Sequence, residues 1–505
     1  MSQASAAAGT TFCPPNRRVF ALAASILASS MAFIDGSVIS IATPAIRANL
    51  NASLSDAQWI SNGYMLFLAS LILIGGASGD RFGLRRVFAF GIALFVIASL
   101  LCAIAPNPIF LIIARVIQGF GAAFMVPGSL ALIAKAYPRD ERGKAIGLWA
   151  AASSLTTILG PVIGGFILTA FGEWSWRLVF AINLPLGLGA LALLWLRVPE
   201  DKPSDGRRLD IFGGLLVTVA LLLFALGLTG TGGTDSAPDS THMLTYCGVG
   251  LVLLLGFLFW ESRTKEPMMP LRLFANRAFS GANGLTFALY FSLAAISFYQ
   301  PMQLIAGWGI SPAQVGISFL PIGICLTVMS PFSGRLADKY GPAPLIAGGA
   351  LLVAIAFAGL GITAPLQNLW FAVVPLMTLM GIGMGFVVSP LSTAVMTGVE
   401  DSDTGTASGI NNAVARVAGL FAVATMGVVV AVVFDRHVGN ATGLSFGRPP
   451  ATPLDPDVEA ARIAATDAAF SAVAYITAAL ALLSAIIAWL TLEKKFGTET
   501  RRSAA

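Results

Sequence analysis

Apolar runs about as long as a membrane-crossing helix recur along almost the whole chain, bounded by charged residues or by proline and glycine clusters. A spanning helix needs roughly 20 predominantly apolar residues. By that criterion the pattern predicts fourteen spans, near 19–45, 57–77, 87–106, 108–134, 143–171, 177–197, 211–229, 243–261, 279–301, 313–336, 343–363, 369–397, 405–434 and 468–492. The first run follows Arg17 and Arg18, is long for a signal peptide and lacks cleavage-site character, so it counts as span 1. Composition agrees: 56% of the residues are hydrophobic and only 11% are charged. The chain reads as an all-α, polytopic membrane protein.

Charge orients it. Basic residues concentrate in alternate loops, with twenty-three of the thirty Lys and Arg on one side and five on the other (Arg47, Arg177, Arg436, Arg448, Arg462). The positive-inside rule then places both termini in the cytoplasm and requires an even number of spans. One inner loop, Glu400-Asp401-Ser402-Asp403, is acidic and runs against the pattern. The two remaining arginines, Arg115 and Arg416, fall inside the membrane.

Several classes of function drop out. Cys13, Cys102, Cys247 and Cys325 are scattered and form no disulfide framework or metal motif. His242 and His437 fall in outer loops, which leaves no intramembrane histidine relay. The sequence carries no phosphate-binding loop, haem motif or nucleic-acid signature, so no enzyme, cofactor or ATP motor is expected.

The chain repeats itself. Gly76-Ala-Ser-Gly-Asp80-Arg81-Phe-Gly83 after span 2 and Gly334-Arg-Leu-Ala-Asp338-Lys-Tyr-Gly341 after span 10 share a glycine, an acid, a base and a glycine at the same spacing. A second pair, 141–147 and 403–409, precedes spans 5 and 13. Two six-helix halves follow, with spans 7 and 8 inserted between them. The predicted units are a tail (1–18), a first bundle (19–200), a linker with the inserted helices (201–265), a second bundle (266–493) and a tail (494–505). Parallel halves of this kind hold a substrate near the midplane and rock about it, which predicts transport.

The motif Gly76, Asp80, Arg81, Gly83, Arg85, Arg86 resembles the loop 2–3 signature of the major facilitator superfamily, where it acts as a conformational latch; Asp338 belongs to its echo. Physically, Gly83 suits a tight turn, Asp80 could sit at a helix N-terminus, and the arginines could anchor to headgroups. Span 5, ending Gly160-Pro161-Val-Ile-Gly164-Gly165, is similar to the antiporter signature of proton-driven drug exporters, with Thr156 where the family has a glycine. Ala152, Thr156, Gly160 and Gly164 form a stripe of small residues that admits a close helix neighbour. Fourteen spans, the helix 1 pattern around Asp35, the Arg115-x-x-Gln118-Gly119 pattern of helix 4 and Arg416 in helix 13 resemble the fourteen-helix drug:proton antiporter branch. The acids that some relatives carry in helices 10 and 13 are missing here.

Asp35 is the unusual residue. A charge at the bilayer centre costs at least ~2.5–3.5 kcal/mol, and every other acid can be assigned to a loop or helix end. At 1.5 Å per helical residue, Asp35 lies ~15 Å from the outer end of span 1, and Arg115 and Gln118 lie ~10 and ~15 Å down span 4. These depths match, and predict a proton-coupling group of Asp35, Arg115 and Gln118. The expected mechanism is efflux of a lipophilic or cationic drug by a monomer in the inner membrane, driven by the proton gradient. Alternatives are an exporter of one endogenous metabolite or antibiotic, an importer, and a non-transporting receptor. Candidate cavity residues are Phe33, Tyr64, Phe124, Phe298, Tyr299, Asn412 and Arg416. The outer loop 435–467 reads as a surface loop.

Overall fold

The computed structural model describes residues 12–201, 209–397, 399–400, 403–439, 443–450 and 452–493. Outside these residues lie most of both tails, the linker bases Lys202, Arg207 and Arg208, the C-terminal bases Lys494, Lys495, Arg501 and Arg502, and Asp401 and Ser402 of the acidic loop. Fourteen described helices are long and apolar enough to cross a membrane. They are α1 (Pro15–Leu50), α2 (Leu54–Phe82), α3 (Leu84–Ala103), α4 (Pro108–Ala136), α5 (Asp140–Phe171), α6 (Glu173–Arg197), α7 (Ile211–Thr229), α8 (Ser240–Arg263), α9 (Arg277–Gly307), α10 (Pro312–Tyr340), α11 (Pro342–Leu366), α12 (Leu369–Met396), α13 (Thr404–Val438) and α14 (Pro456–Thr491). Each coincides with one predicted run. The even number returns α14 to the side on which α1 begins, here called the terminal side; the opposite face is the far side.

The spans sort into two six-helix bundles with a hairpin between them. In the first, α2 and α3 pack on α4, and α1 on α5 and α6; in the second, α11 packs on α12 and α14, α10 on α12, and α9 on α13 and α14. The hairpin α7–α8 is held through α7, which lies against both α2 and α13 and so covers the seam between the halves on that flank. Trp59, Leu66, Leu221, Ala225 and Leu420 form the apolar patch that fixes it there. α8 packs on α7 and is otherwise turned outward.

Local sequence explains the ends. α2 opens on a capping box, Ser53 with Asp56, and α4 on Asn107, whose side chain accepts the Phe110 N–H ahead of Pro108 in the first turn. The repeat is visible in the turns: Gly83 between α2 and α3 has φ +93°, and Gly341 between α10 and α11 has φ +83°. Side chains other than glycine rarely adopt that conformation, which is why both copies of the motif end in glycine.

Three expectations are corrected. Segment 435–467 is not a surface loop throughout: α13 continues to Val438, α14 begins at Pro456, and Phe446 between them is 1% exposed, packed on Phe434 and Tyr299. Asp467 therefore lies inside α14, 3% exposed, where it accepts from Gln303, Trp308 and Gln367. The tally that left Asp35 as the one buried acid within a span missed it, because the short apolar run hid the first three turns of the helix. His242 and His437 lie in terminal turns of α8 and α13 rather than in loops.

Candidate functional site

Asp35 faces the interior of the first bundle and is 2% exposed. Arg115 Nη1 donates to its Oδ2 at 2.5 Å and to Gln118 Oε1 at 2.6 Å, while Gln118 Nε2 donates to Asp35 Oδ1 at 2.9 Å. The spacing i, i+3 on α4 puts Arg115 and Gln118 on one face, so one helix supplies donors to both carboxylate oxygens. Around this core, Ser99 Oγ accepts from Gln118 Nε2 at 3.0 Å and from Asn183 Nδ2 at 3.2 Å, and Arg115 Nε donates to the Ile60 carbonyl at 3.0 Å. The guanidinium lies over the rings of Tyr64, 4.4 Å to its centroid, and Phe180, 5.7 Å. Ser99 and Asn183 were not anticipated; their signal was a polar residue inside an apolar run.

Gly119 makes the arrangement possible. A β-carbon there would stand 2.3 Å from the Tyr64 carbonyl oxygen, so only glycine lets α2 come close enough to lay Tyr64 and Ile60 against Arg115.

The other face of the same stretch of α1 rests on α5. β-Carbons at Gly160 and Gly164 would stand 2.1 Å from Ser37 Oγ and 2.1 Å from Val38 Cγ2. The neighbouring face of α5 meets the second bundle: a β-carbon at Gly165 would stand 2.3 Å from the Pro312 carbonyl, and one at Gly316 2.4 Å from the Pro161 carbonyl. Gly160, Pro161, Gly164 and Gly165 thus join the helix that carries Asp35 to the opposite half. These close approaches lie in the far-side half of α5 and α10. Toward the terminal side Ala150, Ala151 and Thr157 of α5 and Thr327 and Pro331 of α10 are exposed. Gly36, in the middle of the central helix α1, is also exposed, with nothing within 4 Å of a built β-carbon. α5 and α10 therefore touch in their far-side halves and part toward the terminal side, whereas α2 and α13 stay close there, a β-carbon at Gly409 falling 2.8 Å from Leu73 Cδ2.

On the terminal side, Asp80 ends α2 with its side chain 62% exposed and 3.8 Å from Lys135. The acid at the N-terminus of α3 is instead Asp201, from the end of the first bundle: its Oδ2 accepts from Leu84 N and its Oδ1 from Arg85 N, both at 2.9 Å, and Lys135 Nζ donates to it at 3.2 Å. Burial opposes ionisation of Asp201, but the two backbone N–H groups and Lys135 outweigh it and hold the carboxyl below the usual range. Arg86 pairs with Glu200 at 3.0 Å and Arg85 donates to the Trp195 carbonyl, so these arginines bind protein; Arg81 lies over Phe82. Of the paired glycines it is Gly75, not Gly76, that admits α4, a built β-carbon lying 2.0 Å from the Ala123 carbonyl. Asp338 is exposed. At the equivalent end of α11, Ala343 N donates to the Glu493 carbonyl, so the second half caps this helix with backbone where the first uses a carboxylate.

The candidate cavity residues scatter. Phe33 is half-buried on α1, and Tyr64 belongs to the Arg115 cluster. Phe124 packs with Phe90 and Phe120 on the flank of the first bundle. Phe298 and Tyr299 are buried in the second; the Tyr299 hydroxyl donates to the Val423 carbonyl and accepts from Gln58 of the first half at 2.9 Å. Asn412 is exposed and Arg416 half-buried on α13.

The family model of the Major Facilitator Superfamily matches residues 25–423. The chain is 32% identical over 88% of its length to the multidrug resistance protein B homolog of Mycobacterium tuberculosis, covering 80% of that protein. It is 30% identical over 79% of its length to the tetracenomycin C resistance and export protein of Streptomyces glaucescens, covering 74% of it. In architecture it resembles a bacterial homolog of the human lysosomal transporter Spinster in its inward-facing conformation, with a TM-score of 0.67 at 17% identity, over 96% of this chain and all of that one. The chain belongs to the major facilitator superfamily of membrane transporters, in its fourteen-span drug-efflux branch.

Proposed function

We propose that the protein is a proton-coupled antiporter that exports lipophilic drugs or antibiotics through the cytoplasmic membrane, as a monomer with both termini in the cytoplasm and without a cofactor. The observation that carries this reading is the double attachment of α1: Asp35 is held by Arg115 and Gln118 of α4 on one face, while Gly160 and Gly164 of α5 seat the other. α5 in turn meets the second half through Gly165. Rocking of the halves would pull on α1 and change how closely Arg115 approaches the carboxylate, which is what proton capture and release require.

In this scheme Asp35 takes a proton from the far side, releases it to the cytoplasm, and substrate occupies a central cavity when the proton has left. Each charge crossing 100 mV supplies ~2.3 kcal/mol. The loop from Gly76 to Arg86, with Asp338 in its echo, latches the terminal side in the opposite conformation. Relatives named for multidrug resistance and for resistance to and export of tetracenomycin C support the direction of transport and the substrate class. The second name also favours a narrower reading, an exporter of one antibiotic. Proton release on adding substrate to the purified protein tests the scheme: it should vanish in Asp35→Asn, and undiminished release would overturn the role of Asp35. Susceptibility profiling of deletion and overexpressing strains separates one substrate from many.

A further inference from the structure

Arg416 lies twelve residues into α13, ~18 Å along it and so near mid-membrane. Among the described residues no hydrogen bond or ion pair holds it. The buried acids away from span ends are engaged elsewhere, Asp35 with Arg115 and Gln118, Asp467 with Gln303, Trp308 and Gln367, and the other two in spans, Asp56 and Glu261, sit in terminal turns of α2 and α8. Arg416 is half-buried, and Asn412, one turn closer to the terminal side, is exposed. α13 packs against both α2 and α9, and a β-carbon at Gly419, three residues beyond Arg416, would stand 4.0 Å from Met65 Cε of α2 and 3.6 Å from Ala294 Cβ of α9, which sets this turn between the two halves.

The charge balance of this region is one-sided. Asp35 and Arg115 neutralise each other, and Arg416 adds a positive charge without a counter-ion from the described protein. An arginine inside a membrane marks a site whose partner should be named. Its planar fork matches a carboxylate or similar oxyanion in two parallel hydrogen bonds and stacks on aromatic faces. A cationic drug would meet repulsion at the same place. We infer that Arg416 is the anion-binding residue of the substrate site, and that the transported compounds are aromatic acids, flat ring systems bearing a carboxylate or phenolate, rather than cations.

This inference rests on the efflux reading above but is tested apart from it, by binding at equilibrium without a proton gradient. Fluorescein and rhodamine 123 share one flat xanthene scaffold; the first is anionic at neutral pH and the second, whose carboxyl is esterified, is cationic. Fluorescence anisotropy with the purified full chain should show fluorescein bound at least about tenfold more tightly than rhodamine 123. Arg416→Gln should bring the ratio of the two affinities close to one. Arg416→Lys, which keeps the charge but not the fork, should restore part of the preference and shows that the loss in Arg416→Gln is one of charge and not of folding. A wild-type preference for the cation, or an Arg416→Gln protein that keeps the wild-type ratio, would overturn the assignment. Gradient-driven export of rhodamine 123 without fluorescein binding would sink this inference and leave efflux standing; an Arg416-dependent fluorescein preference without gradient-driven export would do the reverse.

Discussion

Arg115 and Asp35 meet at 2.5 Å with both side chains 1% exposed, an ion pair sealed inside the first six-helix bundle. Removing one member of such a pair strands the other as a buried charge, which costs about 3–5 kcal/mol. Arg115→Met should therefore destabilise the protein in that range, while the double variant Asp35→Asn/Arg115→Met should recover a large part of the loss. Thermal unfolding in detergent checks this. Additive losses from the two substitutions would show that the residues do not act as a pair.

Gly165 is one of the points where α5 touches the other half. A β-carbon there would overlap the Pro312 carbonyl, and backbone cannot yield as a side chain can. Gly165→Val should thus disfavour contact between the halves on the far side and shift the population toward conformations open there. Ala313, 8% exposed, reports on this closure: as Ala313→Cys it should react with a polar maleimide from the far side several-fold faster when Gly165→Val is also present. Equal labelling rates would mean that the seat is not part of the moving contact.

How far the sequence reached depends on how local each cause is. Asp35, Arg115 and Gln118 could be brought together from sequence because a helix has a fixed rise, so depth can be counted, and because i, i+3 residues share a face. Gly83 and Gly341 were legible because their turn demands glycine. Asp201 was not, because nothing in its own segment says that the linker folds back onto α3, more than a hundred residues earlier. Tyr64 was assigned to a cavity wall as an aromatic in a span. What it stacks on was decided by Gly119 on another helix. Asp467 was lost because the apolar pattern of α14 is weak over its first turns, where the helix begins outside the greasy run.

Asp201 makes the terminal-side clasp sensitive to acid. Its carboxyl is held below the usual range in the folded protein, so its stabilisation is complete above the unfolded value of about 4 and is lost as pH falls through the lower folded value. Asp201→Ala should lower stability at pH 7 by about 0.5–2 kcal/mol, the range for losing a helix N-cap. The difference from wild type should shrink as pH is lowered below about 4. Unfolding measured from pH 7 down to the acid limit reads both; a gap of constant size across that range would refute the charge contribution.

Arg47 holds the far side together. Its side chain is fully buried and binds three separate parts of the chain: Nη2 donates to Asp235 Oδ1 at 2.8 Å and to Ser445 Oγ at 3.0 Å, Nη1 donates to the Phe446 carbonyl, and Nε donates to the Ala52 carbonyl at 3.3 Å. Asp235 Oδ1 also accepts from Leu54 N at 2.7 Å, so the α7–α8 turn is tied to the first bundle and, through Arg47, to the segment between α13 and α14. Asp235→Ala should weaken this clasp by about 1.5–3 kcal/mol, the value of a hydrogen bond to a charged group. The low end is expected because Asp235 is 35% exposed and partly screened by water. Amide hydrogen exchange should accelerate in both 230–239 and 443–450, although only the first contains the substitution. Asp235→Asn, which keeps an acceptor for Leu54 and Arg47, should accelerate them less. Exchange that rises in 230–239 alone would show that the Phe446 carbonyl holds Arg47 without help, and that the inserted hairpin does not couple to the second half on this side.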